Sequence, residues 1–141
     1  CWILIRHTVP EKDKKFSHAI HLVIEDDVQL RHNCLEASRV VSNRHLEKVI
    51  GRNMFHLKIR TYPHQILRMN AMATGNKADR YGNGMRLSFG KTVGLAARCK
   101  RGQKVITAYV NQEHVLKAKE SLRKAGYKLP VKSKIVIEKM A

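Results

Sequence analysis

Residues 68–91 read RMNAMATGNKADRYGNGMRLSFGK, a stretch with neither the two-residue alternation of a strand nor the 3.6-residue period of a helix. It holds glycines 75, 82, 84 and 90, five cations (Arg68, Lys77, Arg80, Arg86, Lys91) and one acid, Asp79. Such a segment cannot bury enough apolar surface to offset the entropy of ordering it. A compact domain seldom keeps so long a connection without structure of its own unless that connection is functional or disordered. A fold for this chain must therefore carry the loop on a framework built from the residues to either side. Flexible linkers seldom mix Met69, Met72, Met85 and Tyr81 with cations, so the loop is expected to become ordered on a partner.

The flanking residues supply that framework. Residues 2–8 (WILIRHT) and 18–25 (HAIHLVIE) are rich in aromatic and β-branched types and predict two strands, joined by a charged turn over 10–16. Asp26 and Asp27 then suit a helix N-cap. Over 28–50, Leu30, Cys34, Ala37 and Val41 fall at helical spacing, with Arg31, His32, Arg39, Arg44 and Lys48 opposite and Gly51 at the C′ position. Residues 55–61 alternate as a half-buried strand, Phe55, Leu57 and Ile59 on one side, His56, Lys58 and Arg60 on the other. After the loop, 93–100 and 104–110 predict a hairpin around Arg101-Gly102. Asn111 would cap a helix over 112–125 with a stripe of Val115, Ala118, Leu122 and Ala125, closed by Gly126. A last strand covers 135–138. This order predicts one α+β domain over 1–141, its mixed or antiparallel sheet covered by two packed helices, with a flexible loop at about 69–86. At 141 residues it can bury a real core, about 68–70% of its unfolded surface.

Charge narrows the partner. Lys plus Arg number 28 against 11 Asp plus Glu, a net of +17 and a pI near 10.3, whereas a soluble surface needs a net magnitude of only about 2–8. From residue 52 to 101 there are eleven Lys or Arg and a single acid, Asp79, which concentrates over half of the excess in a third of the chain. Cations in that density match a polyanion, where they release condensed counterions. A membrane would call for a basic amphipathic helix with large apolar anchors, which neither helix offers. DNA readers of the helix-turn-helix, zinc-finger or basic-zipper kind leave patterns that are absent. Cations spread over strand, loop and helix suit a folded RNA surface. Cys1, Cys34 and Cys99 form no CxxC, and an odd count without an apolar leader points to free thiols in a reducing compartment. A chain opening on Cys1 rather than Met implies that its natural N-terminus lies upstream.

Catalytic readings fail on spacing. Gly90-Lys91-Thr92 resembles the end of a phosphate loop, but the required first glycine falls on Met85, Gly84 misses by one, and no helix follows. His18 and His21 lie three apart on a strand and face opposite sides, so they would not converge on a metal. The acids Glu36, Glu47, Glu113 and Glu120 read as solvated helix charges. No enzyme, cofactor or metal site is expected.

The segments RHNCLEASRVVSNRHLEK (31–48), GRNMFHLKIRTYPHQILR (51–68), MATGNKADRYGNGMRLSFGKTVGLAAR (72–98) and GQKVITAYVNQEHVLKAKESLRKAGYKLP (102–130) together resemble one large-subunit ribosomal protein family. It is the family numbered sixteen in bacteria and ten in archaea and eukaryotes, and the archaeal form is the closer likeness. The likeness spans about 28–141; its most specific part is the ATGxxADRxxxGMRxxFGK core. The sequence departs from the family at Gln65, Met69, Ala71 and Thr92 and lacks its basic N-terminal arm.

The resemblance implies an α+β sandwich with a hammerhead-like β excursion and a structural role without catalysis. It implies a cytoplasmic protein in the large ribosomal subunit, helping to complete subunit assembly, with no membrane and no homo-oligomer. Its partners would be large-subunit rRNA near the tRNA corridor and peptidyl-transferase centre, the 5S rRNA neighbourhood, tRNA, and neighbouring ribosomal proteins. Lys58, Arg60, Arg68, Arg86, Lys91, Arg98 and Lys100 would contact rRNA phosphates, with Arg31, His32 and Arg39 on the first helix as further contacts. Lys77 and Arg80 would be the loop-tip cations nearest tRNA, while Gly82, Gly84 and Gly90 shape the loop. Two rival readings are a non-ribosomal RNA chaperone or assembly factor with the same basic surface, and an RNA-modifying or nucleotide-using enzyme.

Overall fold

The computed structural model describes residues 16–72, 75–76 and 82–140. The strand expected over 2–8 lies outside them. The described chain forms β1 (His18–Ile24), β2 (Val28–Arg31), α1 (His32–Val49), β3 (Phe55–Ile59), β4 (Gln65–Met69), β5 (Lys91–Cys99) and β6 (Lys104–Val110). A 3-10 turn (Gln112–His114), α2 (Val115–Gly126) and β7 (Ser133–Lys139) complete it. Two antiparallel sheets result: a four-stranded one ordered β3-β6-β1-β7 and a three-stranded one ordered β2-β5-β4. The class is α+β, as the element order predicts.

Alternation decides which sheet face is buried. Phe55, Leu57 and Ile59 on β3, Ile20, Leu22 and Ile24 on β1, and Ile106, Ala108 and Val110 on β6 turn inward. All of these but Ile59 meet Leu35 and Leu46 of α1 and Leu122 of α2 in a single core with Leu30, Ala97 and Cys99 of the smaller sheet. Helix α2 rests on β1, β6 and β7, and α1 on β2, β3 and β5.

The structure corrects several expectations. Residues 28–31 form a strand, not the first turn of the helix, because they pair in register with β5 from Val28↔Cys99 to Arg31↔Ala96. Asp27 accordingly caps no helix; its Oδ1 accepts the backbone N–H of Arg101 at 2.6 Å. The buried stripe of α1 is Leu35, Ser38, Ser42 and Leu46, one residue on from the predicted one. It turns that way because α1 packs on α2 through serines. Ser38 Oγ donates to Cys34 O and lies 3.2 Å from Ala125 O, while Ser121 Oγ donates to Ser42 O at 3.0 Å. Small side chains whose hydroxyls find carbonyls let two helix backbones approach closely.

The third correction concerns the hairpin. β5 pairs with β2 and β4, whereas β6 pairs with β1 and β3, so the two strands occupy different sheets. The turn at 100–103 carries the chain between sheets, held by Gln103 N–H to Lys100 O and Gly102 N–H to Ile24 O, with Gly102 at φ +79. The fourth is β4, a strand the sequence pattern did not predict, whose Arg68 and Met69 pair with Thr92 and Lys91. Gly126 ends no helix in the left-handed conformation. It belongs to α2, where a Cβ would lie 2.7 Å from Ser133 Oγ.

Candidate nucleic-acid interface

On β3 the alternation that sends Leu57 inward leaves Lys58 exposed on the opposite face of the four-stranded sheet. Arg60 follows β3 on the same side. Its Nε donates to Thr107 Oγ1 at 2.7 Å and its Nη2 to Tyr109 OH at 3.0 Å. Thr107 Oγ1 is 2.8 Å from His21 Nδ1, His21 Nε2 is 3.0 Å from Glu138 Oε2, and Lys104 Nζ donates to Glu138 Oε1 at 2.6 Å. Burial holds the His21 imidazole below its ordinary pKa, partly offset by the Glu138 hydrogen bond. The neutral ring fits the network in one sense: Thr107 O–H donates to Nδ1, and Nε2–H donates to the carboxylate. A directed chain from guanidinium to carboxylate thus crosses all four strands. Lys104 first, then His21, keeps Glu138 below the usual carboxylate range. Beside the chain, His56 stacks on Tyr109 with ring centroids 5.6 Å apart.

The smaller sheet carries a second group. Pairing of Gln29 with Arg98 and of Arg31 with Ala96 puts Arg31 and Arg98 on one face, both exposed, with Lys100 just past the end of β5. A third group lies along the arm made by β4 and the start of β5. There Arg68 sits with its guanidinium carbon 4.2 Å from the centre of the Phe89 ring, and Arg86 and Lys91 are exposed nearby in sequence.

The anticipated cations therefore divide among three surfaces and do not form one site. Lys58, Arg60, Arg68, Arg86, Lys91, Arg98, Lys100 and Arg31 have no ion pair with any described carboxylate. Arg39 differs: it holds Glu36 through two hydrogen bonds of 2.6 and 3.0 Å, which raise its pKa further. The His32 ring is half-buried with Nδ1 about equidistant from Leu95 N and O, an anchor between α1 and β5. Lys77 and Arg80 lie outside the described residues. Among those described, no group of His, Cys, Asp and Glu could hold a metal, and no helix is long and apolar enough to cross a membrane. Cys34 and Cys99 are free thiols.

Sequence reasoning missed Lys104, His21, Tyr109 and Phe89. Tyr109 was legible in principle, since an alternating strand puts it beside Thr107 on the face opposite Ile106 and Ala108. His21 was not, because nothing local shows that its partners come from β6 and β7.

Comparison with known proteins gives a consistent result. A family model described as ribosomal protein L16p/L10e matches residues 4–136, reaching further toward the N-terminus than the motifs legible from residue 28. Large ribosomal subunit protein uL16 of Methanococcus aeolicus is 49% identical over 138 residues, covering 98% of this chain and 80% of that protein. Its counterpart in Methanospirillum hungatei is 50% identical over 124 residues, 88% and 73% of the two chains. That of Methanosphaerula palustris is 44% identical over 137 residues, 97% and 79%.

Proposed function

The chain belongs to the ribosomal protein L16p/L10e family, and from that premise we propose that its three cationic surfaces hold large-subunit rRNA while the loop at 69–86 serves tRNA. The protein is a structural constituent of the large ribosomal subunit, with rRNA and other ribosomal proteins as partners, and is not an enzyme. The observation that carries the finer reading is the set of exposed Lys and Arg side chains left without a described acidic partner, on two sheets that share one core. An RNA-free surface would gain by pairing them, as Arg39, Lys104 and Lys124 are paired. Arg matches phosphate oxygens with a planar fork, and Arg60 is oriented in advance by Thr107 and Tyr109.

On this reading Lys58, Arg60, Arg98 and Lys100 contact rRNA phosphates and Arg31 adds to them, whereas Arg39 stays on Glu36 and His32 anchors α1 to β5. Lys77 and Arg80 are the cations nearest tRNA, close to the peptidyl-transferase centre, and the 5S rRNA neighbourhood borders the same protein. The chain thereby positions tRNA and completes subunit assembly. The test pairs two double variants in cells. K77A/R80A should reduce tRNA binding by isolated subunits while leaving subunit yield intact, and R60A/R98A should lower subunit yield. Equal assembly defects from both pairs would refute the division of roles. Sedimentation after a high-salt wash adds a second readout. A chain with 6–10 phosphate contacts loses affinity for bare RNA by about 10³–10⁵-fold between 50 and 200 mM salt. Retention in washed subunits marks deep integration, and release to the top fractions would favour an assembly factor.

A further inference from the structure

The β4–β5 arm exposes large apolar side chains that phosphate binding does not explain. Ile66, Met69, Met85, Leu87, Phe89 and Val93 are all more than half exposed, Phe89 by 79% and Leu87 by 81%. Leu87 also has φ +55, a left-handed conformation that a leucine rarely adopts. Gly90 shows how closely the two backbones pack. A Cβ there would lie 2.6 Å from Met69 C and 2.8 Å from Met69 N, so the backbone after Phe89 runs directly against the end of β4. The same approach sets the Phe89 ring under the Arg68 guanidinium at 4.2 Å.

We propose that Arg68 and Phe89 form a stacking platform for an unpaired RNA base, with Arg86 and Lys91 taking the flanking phosphates. This deepens the RNA reading above and rests on it. A duplex hides the faces of its bases and offers an arm of this kind only phosphates and sugars, which give exposed Phe, Leu and Met side chains nothing apolar to cover. A bulged or looped-out base presents a flat face to a ring and a guanidinium plane, and its neighbours present phosphates to the cations. The arm's charge favours RNA over a protein partner: no described residue between 52 and 101 is acidic.

The test uses the full chain and three labelled probes: a short single-stranded RNA of mixed sequence, its duplex, and the same strand with abasic positions. The single strand should bind more tightly than the abasic strand. F89A should weaken single-strand binding by about 5- to 150-fold and leave duplex binding and the salt slope unchanged, while F89Y should restore it. Equal loss on strand and duplex, no loss at all, or abasic binding as tight as the native strand would overturn the platform while leaving RNA binding intact. Failure to bind any of the three probes would overturn the RNA reading itself. Should F89A fail to fold, the comparison of native with abasic strand on the unaltered chain decides the matter alone.

Discussion

The serine seam between the helices gives the sharpest stability prediction, because the structure turns α1 one residue on from the face that the sequence pattern assigns to the core. Ser42 is fully buried, and its hydroxyl donates to Ser38 O and Arg39 O, carbonyls that α1 already uses. S42A therefore leaves no donor or acceptor orphaned and should cost only about 0.5–1.5 kcal/mol. S42L is different. Leucine adds two heavy atoms where Ser121 Oγ already stands 3.0 Å from Ser42 O, so the helices must spread or the side chain must leave its preferred rotamer. Overpacking of that kind costs about 1–3 kcal/mol. At about 3–4 °C per kcal/mol for a chain of this size, the melting temperature should fall by about 3–12 °C. V40L, on the solvent side of the same helix, should stay within about 0.5 kcal/mol. Thermal melts followed by circular dichroism measure all three. If S42L melts with V40L, the seam is not in contact and the register assigned to α1 is wrong.

Acid should weaken the folded state through His21. Its folded pKa lies below the ordinary value near 6.5, so the unfolded chain takes up the proton first, and stability falls as pH drops below about 6.5 toward the folded value. Glu138, whose folded pKa is also lowered, adds a loss in the same direction at pH below about 4.5. Melts between pH 7.5 and 5.5 should flatten in H21Q, and an unchanged slope would remove His21 from the account. G90A should cost the arm about 1–3 kcal/mol, since the new Cβ meets main-chain atoms of Met69 and Asn70 inside 3.0 Å. Hydrogen exchange at the Arg68 and Met69 amides should accelerate; unaltered exchange would mean that the two backbones do not press on each other.

Much of this architecture is written locally. Phe55, Leu57 and Ile59 alternate with His56 and Lys58, and that period alone fixes which face of β3 is buried. Ala118, Leu122 and Ala125 give α2 its inner stripe, and Gly51 at φ +103 ends α1 where the sequence puts a C′ residue. The excess of cations over 52–101, and with it the polyanionic partner, follows from counting charges. Other features depend on contacts between residues far apart in the chain. Val28–Arg31 is too short to show a period and becomes a strand because Ala96 and Cys99 offer it a ladder. The turn at Arg101-Gly102 could close a hairpin or carry the chain to another sheet, and pairing partners in β1 and β2 choose the second. Ser38, Ser42 and Ser121 read as polar helix surface until the second helix packs on them, Ser38 Oγ meeting Ala125 O and Ser121 Oγ donating to Ser42 O. The same holds for His21, whose partners Thr107 and Glu138 lie 86 and 117 residues away, and for Phe89, which meets Arg68 only because Gly90 lets two backbones touch. Periodicity and charge are properties of neighbouring residues and survive in the sequence alone; hydrogen-bond partners and close backbone approach are properties of the folded chain.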